Sequence, residues 1–451
     1  MEASPRPDPT PPRVCVVGAG SSGLAAGRNL AAVGLPFDIL EQCPDLGGNW
    51  NYGLPVARVY ESTHTISSKP GTEYPDFPMP DDYPDYPHHT QILAYLRAYA
   101  EYFGLLEHIE FGRRVERIAP TEARTAWGDP MWEVRLDGGE TRRYEAVVIA
   151  NGHNWDPKVP EYPGTFNGEQ MHSAEYRTPE VLRGRRVLVV GGGNSGCDIV
   201  VEAAHIAERA FHSTRRGYHY VPKYLWGRPS DQIGDLLHRL HLPMGLQRFF
   251  ATASLRLAVG RPEKLGLPKP DHRLFETHPI VNSLLPYYVR HGAITPKPDI
   301  ERLDGDHVVF SDGSRERVDL ILWATGYNIR FPFIDPQLLA WADGRPHLFR
   351  HVFHPEYDNL FVAGLIQPDS GQFGIVHWQC RALALFLAGV AGVDGVARPK
   401  GVERLRHLKR GPDRDDLGGG LRYKDSTRHY LEIEHWSYTR GLRRLARMLD
   451  A

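Results

Sequence analysis

An α/β fold of two Rossmann-like nucleotide-binding lobes, the second inserted into the first, is what this sequence predicts. Three observations predict it. The apolar run Val14 to Val17 leads directly into Gly18-Ala-Gly20-Ser21-Ser22-Gly23 and then into a helix-forming stretch. The pattern recurs where Arg186 to Val190 runs into Gly191-Gly-Gly193-Asn194-Ser195-Gly196 and a helical stretch at 197–208. Late in the chain, Leu360 to Gly364 is another apolar run ending in glycine, with a helical pattern behind it at 372–387, and such a pair commonly returns to the first lobe. Parallel strands covered on both faces read as unbroken apolar runs. A G-x-G-x-x-G turn between strand and helix marks a dinucleotide unit, and two of them mark it far better than one.

In the first unit, Gly18 permits the tight turn, Gly20 leaves room for a pyrophosphate, and Gly23 lets helix and strand pack closely. The helix N-terminus offers unpaired N–H groups to phosphates. A second strand, Phe37 to Leu40, ends at Glu41, where an acid holds a ribose hydroxyl; Gln42 follows. Gly47-Gly48, before Asn49 and Trp50, suggests a second close backbone approach. Residues 51–89 are rich in Pro, Tyr and Asp and read as a long ordered loop with aromatic anchors. Thr90 is the expected cap of a helix at 91–103. Strands at 110–118 and 131–136 suit a small sheet, and 144–150 suits a buried strand ended by Asn151-Gly152.

After a Pro- and Gly-rich linker near residue 160, the second unit differs where it matters. Its second strand, 210–213, is followed by Thr214, Arg215 and Arg216 and by no acid. Guanidinium groups there suit a 2′-phosphate. The first unit is therefore read as an FAD or NAD site and the second as an NADPH site. Residues 218–295 show broken helical patterns and read as a helical insertion. Strands at 308–310 and 318–323 come next, the latter ending in Ala324-Thr325-Gly326-Tyr327, a turn that lets backbone pass close to a ligand or lobe. The first lobe is expected at 1–165 and 296–451, the second at 166–295. The charged tail has a joint at Gly418-Gly-Gly420 and a last helix with Leu442, Leu445 and Leu449 beside Arg440, Arg443, Arg444 and Arg447, read as a docking helix with a solvated basic face.

Composition bounds the rest. The hydrophobic share is 41% and the charged share 24%, as in globular proteins. A net charge of −2 gives a nucleic-acid partner no electrostatic support. The four cysteines form no C-x-x-C pair, so no metal site and no disulfide framework is expected, and a reducing, cytoplasmic setting fits. No transmembrane helix is expected, and residues 1–12 read as a disordered lead-in.

Together these motifs resemble the flavin-containing monooxygenases, class B flavoprotein monooxygenases, over about residues 12–395. Besides both glycine turns, the resemblance rests on Glu41 with Gly47-Gly48-x-Trp50, on Phe166-x-Gly168-x-x-x-His172-x-x-x-Tyr176 as a signature between the lobes, on Ala324-Thr325-Gly326-Tyr327, on Asp76-Phe77-Pro78, and on Gly364-Leu365-Ile366-Gln367-Pro368. It implies FAD on the first turn and NADPH on the second. It implies hydride transfer to the flavin, reaction with O2 to a C4a-(hydro)peroxyflavin, and oxygenation of an amine nitrogen or thioether sulfur. It implies that His172 couples the lobes. One departure stands out. In the segment His64-Thr65-Ile66-Ser67, Ile66 falls where the family places an asparagine that hydrogen-bonds beside the flavin. Either His64, Thr65 or Ser67 substitutes, or the oxygenating species is less protected and peroxide leaks, as in a weakly coupled NADPH oxidase. Baeyer–Villiger oxygenation of ketones is the neighbouring activity, but its signature carries Trp-Pro after the histidine, where this chain has Tyr176-Arg177. A disulfide reductase needs a cysteine pair after the Gly-Gly turn, where Asn49-Trp50 stand. The partners expected are a small-molecule substrate and O2, with a homodimer as a possible assembly.

Overall fold

The structure, a computed structural model, describes residues 13–239, 244–274, 276–277, 280–411 and 429–450. The lead-in at 1–12 and the glycine joint at 418–420 lie outside the described residues.

Two five-stranded parallel sheets organise the chain. The first runs in spatial order Leu360–Val362, Ala146–Ile149, Val14–Val17, Phe37–Glu41, Ile109–Phe111. The second runs Glu169–His172, Leu320–Trp323, Arg186–Val190, Arg209–Ser213, Ile294–Lys297. The registers of their central strands correspond. Val17 stands opposite Leu40 and Ile149, and Val190 opposite Ser213 and Trp323. Val14–Val17, Ala146–Ile149 and Leu320–Trp323 are apolar throughout, and Arg186–Val190 is apolar after its first residue, as in parallel strands covered on both faces.

The second lobe is larger than its expected span. Leu320–Trp323 lies inside the second sheet, not the first, and Ile300–Gly305, His307–Phe310 and Arg315–Arg317 form an antiparallel flap joined to Gly164–Phe166. The boundary expected at 296 therefore moves to the return crossing near 327. That crossing, Tyr327–Asn328, pairs antiparallel with the outgoing one, Asp156–Pro157, so both passages between lobes are zipped together. Lys158 N–H adds a 3.0 Å bond to the Gly326 carbonyl.

Local detail corrects one further expectation. The helix His89–Tyr102 is capped by His88, not Thr90: the His88 ring accepts from Thr90 N–H, and Gln91 Oε1 accepts from His88 N–H at 3.0 Å. Among the described residues one helix, Phe373–Val390, has 18 residues of mean hydropathy 1.4 and is long and apolar enough to cross a membrane. Here it is a core helix, packed between Ser21–Ala31 and the last helix, His435–Leu449. That last helix buries Leu442, Leu445 and Leu449 and exposes Arg440, Arg443, Arg444 and Arg447.

Candidate functional site

Both glycine turns are built by the same close contacts. Gly18 has φ +104°, and a Cβ there would stand 2.8 Å from the Ala150 carbonyl oxygen; Gly191 has φ +126°, and its Cβ would stand 2.2 Å from the Ala324 carbonyl oxygen. Gly23 and Gly196 press their helices onto Gly18 O and Gly191 O, at 1.8 and 2.1 Å from a notional Cβ. Only glycine allows this. The third residue of each turn is different. Gly20 meets nothing nearer than Gly48 Cα at 3.9 Å, and Gly193 has open space. Each therefore leaves a cradle beside the helix N-terminus that a side chain would enter, which fits a pyrophosphate.

Around the first turn, Ser21 and Ser22 open the helix, Ser22 meeting Gly364 where that residue turns with φ +79°. Leu365 is buried behind it. Glu41 is buried at the end of its strand; its carboxylate accepts from Ala19 N–H at 2.7 Å and Cys43 N–H at 2.9 Å, which orients it and leaves lone pairs for a hydroxyl. Gly48–Trp50 forms a tight turn against Gly20. Asn49 accepts from Arg58 N–H at 2.7 Å, and Trp50 sets its edge to Phe373. Gln42 is exposed. Cys43 is a buried free thiol whose pKa burial pushes up to about 12, unsuited to dithiol chemistry.

Around the second turn, the position matching Glu41 is the buried Thr214. Arg215 and Arg216 come directly after it, and among the described residues neither forms an ion pair. His212, buried, donates from Nε2 to Gly191 O at 2.9 Å and so holds the turn; burial pushes its pKa down to about 4, keeping it neutral. Asn194 accepts from Val281 N–H at 2.8 Å, tying the turn to the insertion, while Ser195 is exposed.

The inter-lobe signature forms the edge strand of the second sheet and the segment that follows it beside the return crossing. Gly168 is required because a Cβ would meet the Phe166 ring at 2.6 Å and Asp319 O at 2.7 Å. His172 is buried, accepts from Ala174 N–H at 3.0 Å, and packs edge-on to Tyr327 of the return crossing. Burial pushes its pKa down to about 4. Tyr176 donates to Glu202 and packs edge-on to Tyr60, whose hydroxyl reaches Asp198 at 3.1 Å. Thr325 donates to Lys158 O.

The segment 64–67 is divided. His64 is exposed, bonded to Ser62 O at 2.9 Å and packed on His88. Thr65 is buried, its carbonyl accepting from Lys223 at 3.1 Å. Ile66 and Ser67 line a cavity of about 420 Å³. Its other walls come from the insertion (Tyr218, Val221, Ile233, Phe250, Val281 among them) and from Asp369, Ser370 and His435. Tyr218 and Val281 also touch the second glycine turn, so the cavity abuts it.

Sequence reasoning missed His212, Asp231 and His435. His435 donates to Asp369 at 2.8 Å and Asp235 at 3.2 Å; burial disfavours its charge, but the carboxylates outweigh this and push it up to about 10. Asp231 accepts from Ser68 N–H at 2.6 Å. Nothing local in the sequence marks the Ser68–Asp231 pair, which joins residues 163 positions apart.

One acid-ended and one arginine-ended glycine turn on two joined lobes beside an apolar cavity match the class of α/β proteins built to hold two nucleotides. The profile of the flavin-binding monooxygenase-like family matches residues 11–398. Flavin-containing monooxygenase 1 of Homo sapiens is 32% identical over 397 residues, 84% of this chain and 74% of that one. Flavin-containing monooxygenase 5 of Cavia porcellus is 31% identical over 446 residues, 94% of this chain and 81% of that one. Among solved structures, an open crystal structure of cyclohexanone monooxygenase superposes with TM-score 0.68 at 20% identity, covering 97% of this chain and 98% of that one. S-allyl-L-cysteine S-oxygenase from Allium sativum superposes with TM-score 0.66 at 21% identity, covering 97% and 89%. This chain belongs to the flavin-containing monooxygenase family: an NADPH-dependent monooxygenase that uses FAD.

Two outcomes are expected. Gly193→Ala, with a backbone φ of −78° that alanine accepts, keeps the melting temperature but weakens NADPH binding about tenfold in a fluorescence titration, whereas Gly196→Ala lowers the melting temperature. His212 has a folded pKa below its unfolded value, so the unfolded chain binds more protons between about pH 6.5 and pH 4 and stability falls as pH drops through that window. The contribution is on the order of 2 kcal/mol at pH 5, and His212→Gln should flatten the slope of unfolding free energy against pH.

Proposed function

We propose that this enzyme transfers one atom of O2 to a soft nucleophile, the sulfur of a thioether or the nitrogen of an amine. The observation that carries the reading is the cavity: one largely apolar space whose wall combines Ile66, Ser67, Asp369 and Ser370 with Tyr218 and Val281, which abut the second glycine turn. An uncharged, apolar reactant fits such walls.

In this reading Gly18, Gly20, Ser21, Ser22 and Gly23 seat the FAD pyrophosphate at a helix N-terminus, Glu41 holds its ribose, and Gly48, Asn49, Trp50, Gly364 and Leu365 close around it. Gly191, Gly193, Asn194, Ser195 and Gly196 seat NADPH, with Arg215 and Arg216 on its 2′-phosphate. When bound, FAD together with NADPH would supply the redox and O2 chemistry, which belongs to the cofactor rather than to side chains. The chain's own residues position, shield and exclude water. Phe166, Gly168, His172, Tyr176, Thr325 and Gly326 keep the lobes in register at the paired crossings. No strong acid or base in the cavity wall is needed for attack by sulfur or an unprotonated amine.

NADPH consumption with a panel of thioethers, amines and ketones, with products identified, tests the reading. S-oxides or N-oxides support it; esters from ketones with no heteroatom oxide would overturn it in favour of Baeyer–Villiger chemistry. Replacing both Arg215 and Arg216 by alanine should lower kcat/KM for NADPH about a hundredfold, the loss of about 3 kcal/mol of charge-assisted bonding, and leave NADH nearly untouched in steady-state assays. Ile66 presents no hydrogen-bond donor to the cavity. Part of the NADPH consumed should therefore end as hydrogen peroxide, and Ile66→Asn should cut that fraction several-fold in a peroxide assay.

A further inference from the structure

Residues Tyr224–Leu225 and Arg228–Pro229 form a short hairpin at the edge of the insertion, with Tyr224 opposite Pro229 and Leu225 opposite Arg228. The two-residue turn between them is Trp226-Gly227, with φ +50° and +75°. Such mirror-image turns favour Asn, Asp or Gly at the first position, because both central residues adopt positive φ. A tryptophan there is strained, with no short polar group to bond locally. The cost is not offset by packing, since the indole is 78% exposed. Trp226 nonetheless lines the apolar cavity, next to Leu225, so it stands at the rim.

The hairpin is held where it is. The Tyr224 hydroxyl donates to Asp85 at 3.2 Å, Tyr224 packs edge-on to Tyr86, and Lys223 donates to the Thr65 carbonyl at 3.1 Å and lies over the Tyr86 ring. The insertion thereby grips the first lobe on either side of Ile66. Phe250, on the helix Met244–Ala258, supplies a second half-exposed aromatic to the same lining.

We propose that Trp226 is a substrate-contacting, specificity-determining residue, its indole covering the outer end of a bulky apolar sulfide or amine and excluding water from it. The proposal rests on the reading of this cavity as the substrate site. Retained strain and exposed apolar surface in one residue have a use when a ligand covers that surface. An aromatic face lends large contact area at little cost in side-chain freedom.

The test uses the holoenzyme with two probes, benzyl phenyl sulfide and dimethyl sulfide. Trp226→Asn relieves the turn, so its melting temperature should equal or exceed that of the parent. KM for the bulky sulfide should rise at least tenfold, KM for dimethyl sulfide less than twofold, and kcat for the bulky sulfide should change little. Trp226→Phe should recover most of the affinity. Ala251→Trp, which fills the cavity wall, should raise KM for benzyl phenyl sulfide and so checks the cavity itself. If Ala251→Trp raises KM and Trp226→Asn does not, the role of Trp226 is overturned and the cavity reading stands. If neither variant moves KM, both fall. A Trp226→Asn protein that melts lower and loses both sulfides equally would make the residue structural and overturn the proposal.

Discussion

Everything in this molecule depends on carbonyl oxygens brought closer to a backbone carbon than any side chain permits. At Gly18 and Gly191 the oxygens of Ala150 and Ala324 occupy the space of a Cβ, and at Gly23 and Gly196 the turn's own carbonyl does. These contacts pull each first helix onto its sheet and aim its free N–H groups past the strand ends. The same pull brings the strand ending at Ile149 and the strand ending at Trp323 beside the two turns. The two seats are thus copies at the level of register. A chemical difference between them lies at the end of each second strand, Glu41 in one and Thr214-Arg215-Arg216 in the other.

The paired crossing arises from the insertion of one lobe into the other. A chain that leaves and re-enters a lobe must cross twice, and here the crossings pair with each other as Asp156–Pro157 and Tyr327–Asn328. The signature residues gather at this place. His172 closes the second sheet's edge strand and rests on Tyr327, and Tyr176 links the crossing to Glu202 and, through Tyr60, to Asp198. Burial pushes the Asp198 carboxyl up to about 6, while Asn282 Nδ2 donates to it at 2.6 Å. Motifs that look unrelated along the chain are neighbours around one joint.

Much of this was legible in the residue order. Both glycine turns, the acid and the arginines after them, and the late strand at Leu360 need only short-range patterns, and those patterns have direct backbone causes. The edge strand Glu169–His172 was not legible as a strand, because an edge position tolerates Glu-Gln-Met-His, which has no apolar run. The lobe boundary was misplaced because an apolar strand such as Leu320–Trp323 carries no mark of which parallel sheet it will join. The cavity was invisible for a different reason. Ile66, Tyr218, Phe250, Asp369 and His435 meet only after widely separated segments fold, and no periodicity encodes that meeting.

The placement of His435 has a wider meaning. It belongs to the tail beyond residue 398, where the shared family profile stops, yet it stands in the cavity wall and bonds Asp369 and Asp235. The first turn of the last helix is thus part of the cavity wall, so the shape of that space depends on how His435–Leu449 docks against Phe373–Val390.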